Sequence, residues 1–379
     1  MRILIIPSWY PTNNSKLVGT FFQEQALSLL PQDDVKVLYI EHVSLRSFKI
    51  KSYFGNKILT PPEGYKFSIP NIPILSVLIG KLIALKFILK LKKNGWVPDV
   101  IRAHGTIWGG YYAVNIGKKI SSPVIITEHK NPFTLDQFFR VEKKWIKWAV
   151  ENCDIFSGDG HFAIRSVILH GFSPKKVKVY GNLVDDIKYF IKDDLYPTKF
   201  TILTVTSLVH FYKDFFTFLN SLIYFNKISE VDFICNVIVF EKSVPHNISK
   251  IILENGLQEK IIFHLGGVSR ENLPDFYMNA SVFVSTSITE NFGVAMVEAL
   301  MCGVPVVSTR NGGAEDFVNF QNGYLVNIRD SSGIANSLKN IAENSQKFKK
   351  LDIRNSVIKK YGITGFNLKL RGDFINIKN

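Results

Sequence analysis

Two carboxylates, Glu290 and Glu298, stand eight residues apart in the stretch SVFVSTSITENFGVAMVEALMCGVPVVSTRNGG, residues 281–313. A carboxylate accepts two adjacent hydroxyls at once, which suits a sugar or a ribose diol. Between them, Glu290-Asn291-Phe292-Gly293 is predicted to open a helix that carries Val294, Val297, Ala299 and Leu300 toward a core. The first amides of a helix have no acceptor within it, and its dipole points the same way, so Asn291 to Val294 can cradle a phosphate. A diphosphate in the middle with a sugar at each end describes a nucleotide sugar.

The elements that must position this chemistry are legible on either side. Val282-Phe283-Val284 reads as a short buried strand of a parallel sheet, leaving into the hydroxyl-rich Ser285-Thr286-Ser287. Gly303 stops the helix, Pro305 prevents its continuation, Val304 to Val307 is the next strand, and Asn311-Gly312-Gly313 turns beyond it.

The same strand-loop-helix grammar recurs at the N-terminus. Met1 to Ile6 is an apolar strand, and Gly19-Thr20 starts a helix running to Leu30, a candidate anion or sugar loop. It lacks the three glycines of a dinucleotide fingerprint and the Lys-Ser/Thr of a P-loop. Strands are also predicted at Val35–Ile40, Asp99–Gly105, Pro123–His129 and Val177–Asn182. His104 and His129 therefore lie at carboxyl ends of strands, where ligands sit in doubly wound sheets. Further strands are expected at Phe200–Thr206, Phe233–Phe240 and Ile261–Phe263, with helices dominating from Leu338 onward.

A length of 379 residues suits two domains, and 46% hydrophobic content with a mean hydropathy of +0.09 supports two cores. Cys153, Cys235 and Cys302 show neither metal spacing nor a paired framework, so a reducing cytosol is expected. The apolar run Ile3–Ile6 is too short for a signal peptide. The net charge of +14 is uneven, with residues 1–190 contributing +12. An anionic partner for that half is expected: an anionic lipid surface or a phosphorylated acceptor, with no nucleic-acid-binding motif in view. Two basic helices, Ile74–Lys93 and Leu135–Asn152, fit either an interfacial amphipathic role or ordinary packing on the sheet with snorkelled lysines. Lysines exclude the first as a spanning helix.

The motif E-N-F-G-x-x-x-x-E-A-L-x-x-G-x-P-V-V-S-T-x-x-G-G resembles the donor site of family 4 of the retaining glycosyltransferases, which have the two-domain GT-B fold. That resemblance implies that Glu290 binds the donor sugar, Glu298 the ribose, and the amides of Phe292, Gly293 and Val294 the diphosphate. It implies that Gly19, beside Thr20, approaches donor phosphate or acceptor, and that His129, in T-x-H, lies near the reacting carbon, with His104 a weaker match. Ser207-Leu208-Val209-His210-Phe211-Tyr212-Lys213 resembles the family's G-R-L…K-G, so Lys213 is expected on the diphosphate while Ser207 stands in place of an Arg. Gly267-Val268 matches the nucleobase turn, and Asn182-Leu183-Val184-Asp185 with Phe190 the closing motif of the first domain.

The expected architecture is α/β: two doubly wound domains facing across a cleft, an acceptor-binding 1–190, a nucleotide-sugar-binding 191–362, and a segment 363–379 returning to the first. The charged Asp186–Lys199 is read as the linker. The expected activity is retaining transfer of a sugar from a nucleoside diphosphate, UDP rather than GDP, to a glycan or lipid-linked acceptor in cell-surface polysaccharide or lipopolysaccharide synthesis, at the cytoplasmic face of the membrane. No D-x-D occurs, and no metal or cofactor is called for. Competing readings are a nucleotide-sugar epimerase of the same fold and a non-catalytic nucleotide-sugar or glycan-binding protein.

Overall fold

The computed structural model describes residues 1–11, 19–49, 55–58, 61–130, 133–192 and 199–378. Contacts divide the chain into two compact units, Met1–Leu183 with Phe366–Asn379, and Val184–Gly365.

The first unit runs β1 (Arg2–Pro7), α1 (Thr20–Leu29), β2 (Asp34–Val43), β3 (Asn56–Ile58), β4 (Gly64–Pro70), α2 (Leu75–Lys93), β5 (Val100–His104), α3 (Tyr111–Ile120), β6 (Val124–Glu128), α4 (Arg140–Asn152), β7 (Ile155–Gly158), α5 (His161–Leu169) and β8 (Val177–Val179). Among the described residues its sheet has the order β3-β4-β2-β1-β5-β6-β7-β8, parallel except for the β3 edge strand. The central strands are apolar because helices cover both faces, as β1 with Ile3 to Ile6 fully buried illustrates. β3 and β4 come from a stretch to which the sequence analysis assigned no element.

The second unit runs β9 (Phe200–Thr206), α6 (Phe215–Ile228), β10 (Phe233–Val239), α7 (His246–Glu254), β11 (Ile261–His264), α8 (Leu273–Met278), β12 (Val282–Ser285), α9 (Val294–Met301), β13 (Val306–Thr309), β14 (Gly323–Val326), α10 (Ser331–Glu343) and α11 (Lys350–Tyr361). Its described strands form an all-parallel sheet ordered β11-β10-β9-β12-β13-β14. That order brings the loops after β9, β12 and β13 side by side at one edge. A last helix, α12 (Ile363–Lys378), packs on the first unit: Asp373 accepts from the Tyr180 hydroxyl at 3.0 Å, and Arg371 reaches Asp33 at 3.1 Å.

Two sequence expectations shift. Residues 290–293 do not open a helix. Gly293 sits at φ +91°, a left-handed conformation that glycine adopts cheaply, and α9 begins after it. The basic aromatic helix starts at Arg140, not Leu135, because the Phe139 amide is taken by the Glu142 carboxylate at 2.9 Å, fixing Phe139 as its extended entry residue. Part of the proposed linker, residues 193–198, lies outside the described residues, as does the 12–16 loop. Tyr189 and Asp186 offer backbone carbonyls to Arg354 of α11, at 2.6 and 2.7 Å. All three cysteines are free and buried.

Candidate donor site and its partner constellation

In the second unit, three loops converge on the start of α9. After β9, residues 211–213 make a single 3₁₀ turn that ends in Lys213, and Asp214 adopts a left-handed conformation to cap α6 through Thr217. After β12, Thr286 donates to the carbonyls of Lys213 and Asp214 at 3.1 and 3.0 Å, tying the two loops together. The Ile288 amide donates to the Tyr212 carbonyl at 2.7 Å. This stitching brings Lys213 Nζ into an ion pair with Glu290 Oε1, which also accepts from Ser287 Oγ at 2.9 Å. Both side chains remain partly exposed, at 27% and 20%.

After β13, the Asn311 carbonyl accepts from the Glu290 amide at 2.8 Å, and the Asn311 side chain caps the amides of Gly313 and Ala314. Gly313 presses on the Phe292 backbone, where an added Cβ would come within 2.6 Å of its carbonyl oxygen. Gly313 therefore lets this turn close on the Glu290–Gly293 loop. The Phe292 ring is buried against Phe317 and Tyr361, 5.4 and 5.0 Å between centroids, which anchors the loop and leaves its backbone to define the helix entrance. The Asn291 amide group is buried with neither its oxygen nor its nitrogen hydrogen-bonded. An orphaned polar pair at a helix entrance is a vacancy in hydrogen bonding that a polar ligand or water satisfies.

Glu298 lies in the second turn of α9 and is 6% exposed. Its Oε2 accepts from the Tyr277 hydroxyl of α8 at 2.7 Å. Burial and the neighbouring carboxylate push the Tyr277 hydroxyl well above its ordinary pKa, so it stays a proton donor. Sequence reasoning missed Tyr277, which carries no signal of its own in an apolar helix. Ser207 faces a protein carboxylate. Its hydroxyl donates to Glu241 Oε1, which also accepts the Leu208 amide at 3.0 Å. A carboxylate thus occupies the neighbourhood where the resemblance led one to look for a guanidinium. Gly266 and Gly267 both adopt positive φ and form the turn expected of them, with the Gly267 amide donating to the Val239 carbonyl at 2.8 Å and Val268 following. Phe240 lies against Gly267, since an added Cβ would meet its ring at 2.9 Å.

In the first unit the other candidates meet. Gly19 has φ +77° at the start of α1, and an added Cβ would come within 2.9 Å of the Trp9 carbonyl oxygen. Thr20 follows as the first residue of α1. From that helix Phe22 stacks on His104 at 4.5 Å and meets His129 at 4.8 Å. His104 Nδ1 and His129 Nε2 are 3.2 Å apart. Burial, then the nearby Arg102 and His129, holds the His104 pKa well below its usual value, so the ring is neutral. His129 Nδ1 lies 3.5 Å from Asp159 Oδ2 after β7, and Asn182 donates to that oxygen at 3.2 Å. Gln25 donates to Asn182 in turn. Glu128 accepts the amides of Thr106, His129 and Lys130, at 2.9, 2.8 and 2.7 Å, and so locks the loops after β5 and β6 together. Asp159 and Glu128 were missed, although Ser157-Gly158-Asp159 repeats the strand-end pattern that pointed to the histidines.

An aromatic group lies at the same strand ends. Trp108 holds φ +60°, costly for a bulky residue, and stacks on His42 at 6.3 Å and on the edge of Phe138 at 5.5 Å. His42 Nε2 is 2.9 Å from the Tyr112 hydroxyl, and burial lowers its pKa to about 4. A depressed histidine contributes stability that is present above its unfolded value near 6.5 and is lost as pH falls through about 4. His42→Gln should therefore flatten the pH dependence of unfolding across that window by up to about 3 kcal/mol. All five tryptophans belong to the first unit, so urea unfolding followed by tryptophan fluorescence at pH 7 and pH 4.5 measures this unit alone. Equal acid sensitivity of wild type and variant would refute the assignment.

Residues 185–358 match the family Glycosyl transferases group 1. That span contains Lys213, the Gly267 turn and the whole Glu290–Gly313 motif. The second unit therefore carries a group 1 glycosyltransferase domain, of the family 4 type. A 41.2 kDa protein in the cps region of Klebsiella pneumoniae is 24% identical to this chain over 317 residues, 73% of this chain and 82% of that one. Sucrose-phosphate synthase 4 of Arabidopsis thaliana is 33% identical over 103 residues, 26% of this chain, and the chain spans only 10% of that relative's length. Among solved structures, Anabaena Alr3699/HepE in complex with UDP superposes with a TM-score of 0.73 at 16% identity, covering 99% of this chain and 100% of that one. At that identity the likeness establishes the fold, which is GT-B.

Proposed function

We propose that this glycosyltransferase moves a hexose from a nucleoside diphosphate to a hydroxyl of a glycan or lipid-linked acceptor, with retention at the anomeric carbon. The observation that carries the reading is the entrance of α9. Its first-turn amides, which have no acceptor within the helix, and the orphaned Asn291 side chain lie beside the Lys213–Glu290 pair, with Glu298 held by Tyr277 in the second turn. In this reading the α9 amides and Lys213 take the diphosphate, Glu290 the sugar and Glu298 the ribose diol. The bond from the anomeric carbon to the diphosphate oxygen breaks as the acceptor oxygen approaches on the same face, and the acceptor proton passes to the leaving diphosphate. The family resemblance supports assigning His129, whose Nδ1 stands 3.5 Å from Asp159 Oδ2, to the donor sugar, and Gly19, Thr20 and His104 to the phosphate or acceptor. Gly267 and Val268 carry the nucleobase.

UDP is the proposed nucleotide, supported by the UDP bound to the structurally similar Anabaena protein. An acceptor belonging to surface polysaccharide or lipopolysaccharide synthesis, met on the cytoplasmic side of the membrane, is supported by the cps-region relative and by the basic first unit. Because amides and one lysine can supply the positive charge, no divalent cation is required. Release of UDP from UDP-sugars, measured with and without added glycan acceptor, tests the transferase reading. Acceptor-dependent release that persists in EDTA is the expected outcome. Equal turnover without acceptor would indicate an epimerase, turnover of none a binding protein, and loss in EDTA a metal requirement.

A further inference from the structure

Among the described residues no helix is long and apolar enough to cross a membrane. Yet α2 leaves a set of leucines in solvent. One side of this 19-residue helix is buried through Val77, Gly80, Ile83, Ala84, Phe87 and Ile88. Gly80 lets Tyr112 of α3 approach, since an added Cβ there would fall within 2.2 Å of the Tyr112 hydroxyl oxygen. On the opposite side Leu75, Leu78, Leu82 and Leu89 are 47%, 41%, 58% and 44% exposed. At 100° per residue these four fall within an arc of roughly 60°, so they form one stripe rather than scattered contacts.

Charge decides what covers it. The helix contains five lysines, Lys81, Lys86, Lys90, Lys92 and Lys93, and no acidic residue. None of the five pairs with a carboxylate among the described residues, and four of them are exposed. Helical spacing places Lys86 and Lys90 on one flank of the stripe and Lys81 and Lys92 on the other. A second copy of this face would bring lysines against lysines. Nucleic acid would use the lysines and leave the leucines wet. An anionic bilayer satisfies both, with leucines entering the headgroup boundary while the lysine stems let the ammonium groups reach lipid phosphates. The other basic helix, α4, is a poorer candidate. Trp145 stacks on Tyr111 at 5.7 Å, and Trp148 carries Lys118 over its ring at 4.7 Å, so its aromatics face α3.

We propose that the Leu75–Leu78–Leu82–Leu89 stripe with its flanking lysines docks this chain on anionic lipid. The test is co-sedimentation with phosphatidylcholine vesicles with and without phosphatidylglycerol, in the absence of donor and acceptor, so the outcome does not depend on the transferase reading. Wild type should sediment with the anionic vesicles at low salt, be released as salt rises, and stay in solution with neutral ones. Leu78→Asp with Leu82→Asp should lower partitioning about tenfold or more, since both positions are solvent-facing and each loses an apolar anchor and gains a repelled charge. Unchanged thermal unfolding confirms that the variant is folded. Replacing Lys143, Lys144 and Lys147 of α4 by Glu should have the smaller effect. No sedimentation of wild type, sedimentation untouched by the leucine variant, or light scattering showing a dimer that the leucine variant dissociates would each overturn the proposal.

Discussion

Lys213→Ala slows sugar transfer by roughly 100-fold or more at saturating donor, while nucleotide affinity changes far less. The expectation follows from where charge develops. A diphosphate gains negative charge as the glycosidic bond breaks, so a fixed cation stabilises the transition state more than the bound ground state. Ser207 cannot share the task, because its hydroxyl is committed to Glu241 and its surroundings are acidic. Lys213 also pairs with Glu290, so its loss leaves an unpaired carboxylate beside the proposed phosphate site. Steady-state rates and nucleotide titrations of Lys213→Ala, Glu290→Gln and the double variant separate these contributions. If restoring charge balance in the double variant recovered wild-type turnover, Lys213 would be a counter-ion to Glu290 and nothing more.

On the proposed ribose assignment, Glu298→Ala weakens binding of the free nucleoside diphosphate by roughly 1–3 kcal/mol, or about 5- to 150-fold, because ribose hydroxyls would lose their acceptor. Glu290→Ala acts differently, lowering turnover more than affinity for the free nucleotide, since it is assigned to the sugar. Tyr277→Phe is expected to reproduce part of the Glu298 effect by removing the 2.7 Å hydrogen bond that orients the carboxylate. Unchanged nucleotide affinity in Glu298→Ala would end the ribose assignment.

Local spacing made the alternation of strands and helices readable, and with it the convergence of His104 and His129 at neighbouring strand ends. Gly19 showed itself as the break before α1 because glycine there has a conformational reason. The register of α9 was less readable: the left-handed conformation of Gly293, which puts the helix start after it, is not encoded in local composition. Tyr277, Glu241, Asp159 and Glu128 stayed hidden for another reason. Each acts through a partner at least 21 residues away that the sheet order brings close, and no local pattern encodes that proximity. The leucines of α2 were visible as apolar positions, but a helix with apolar residues on most of its circumference does not announce which of them face solvent.

Titration calorimetry of the purified protein with UDP, GDP and ADP bears most directly on the claim that the α9 entrance is a nucleotide-sugar site. Saturable, one-to-one binding of UDP that weakens in Glu298→Ala is the expected result. Absence of binding by all three nucleotides, or UDP binding indifferent to Glu298, would contradict it.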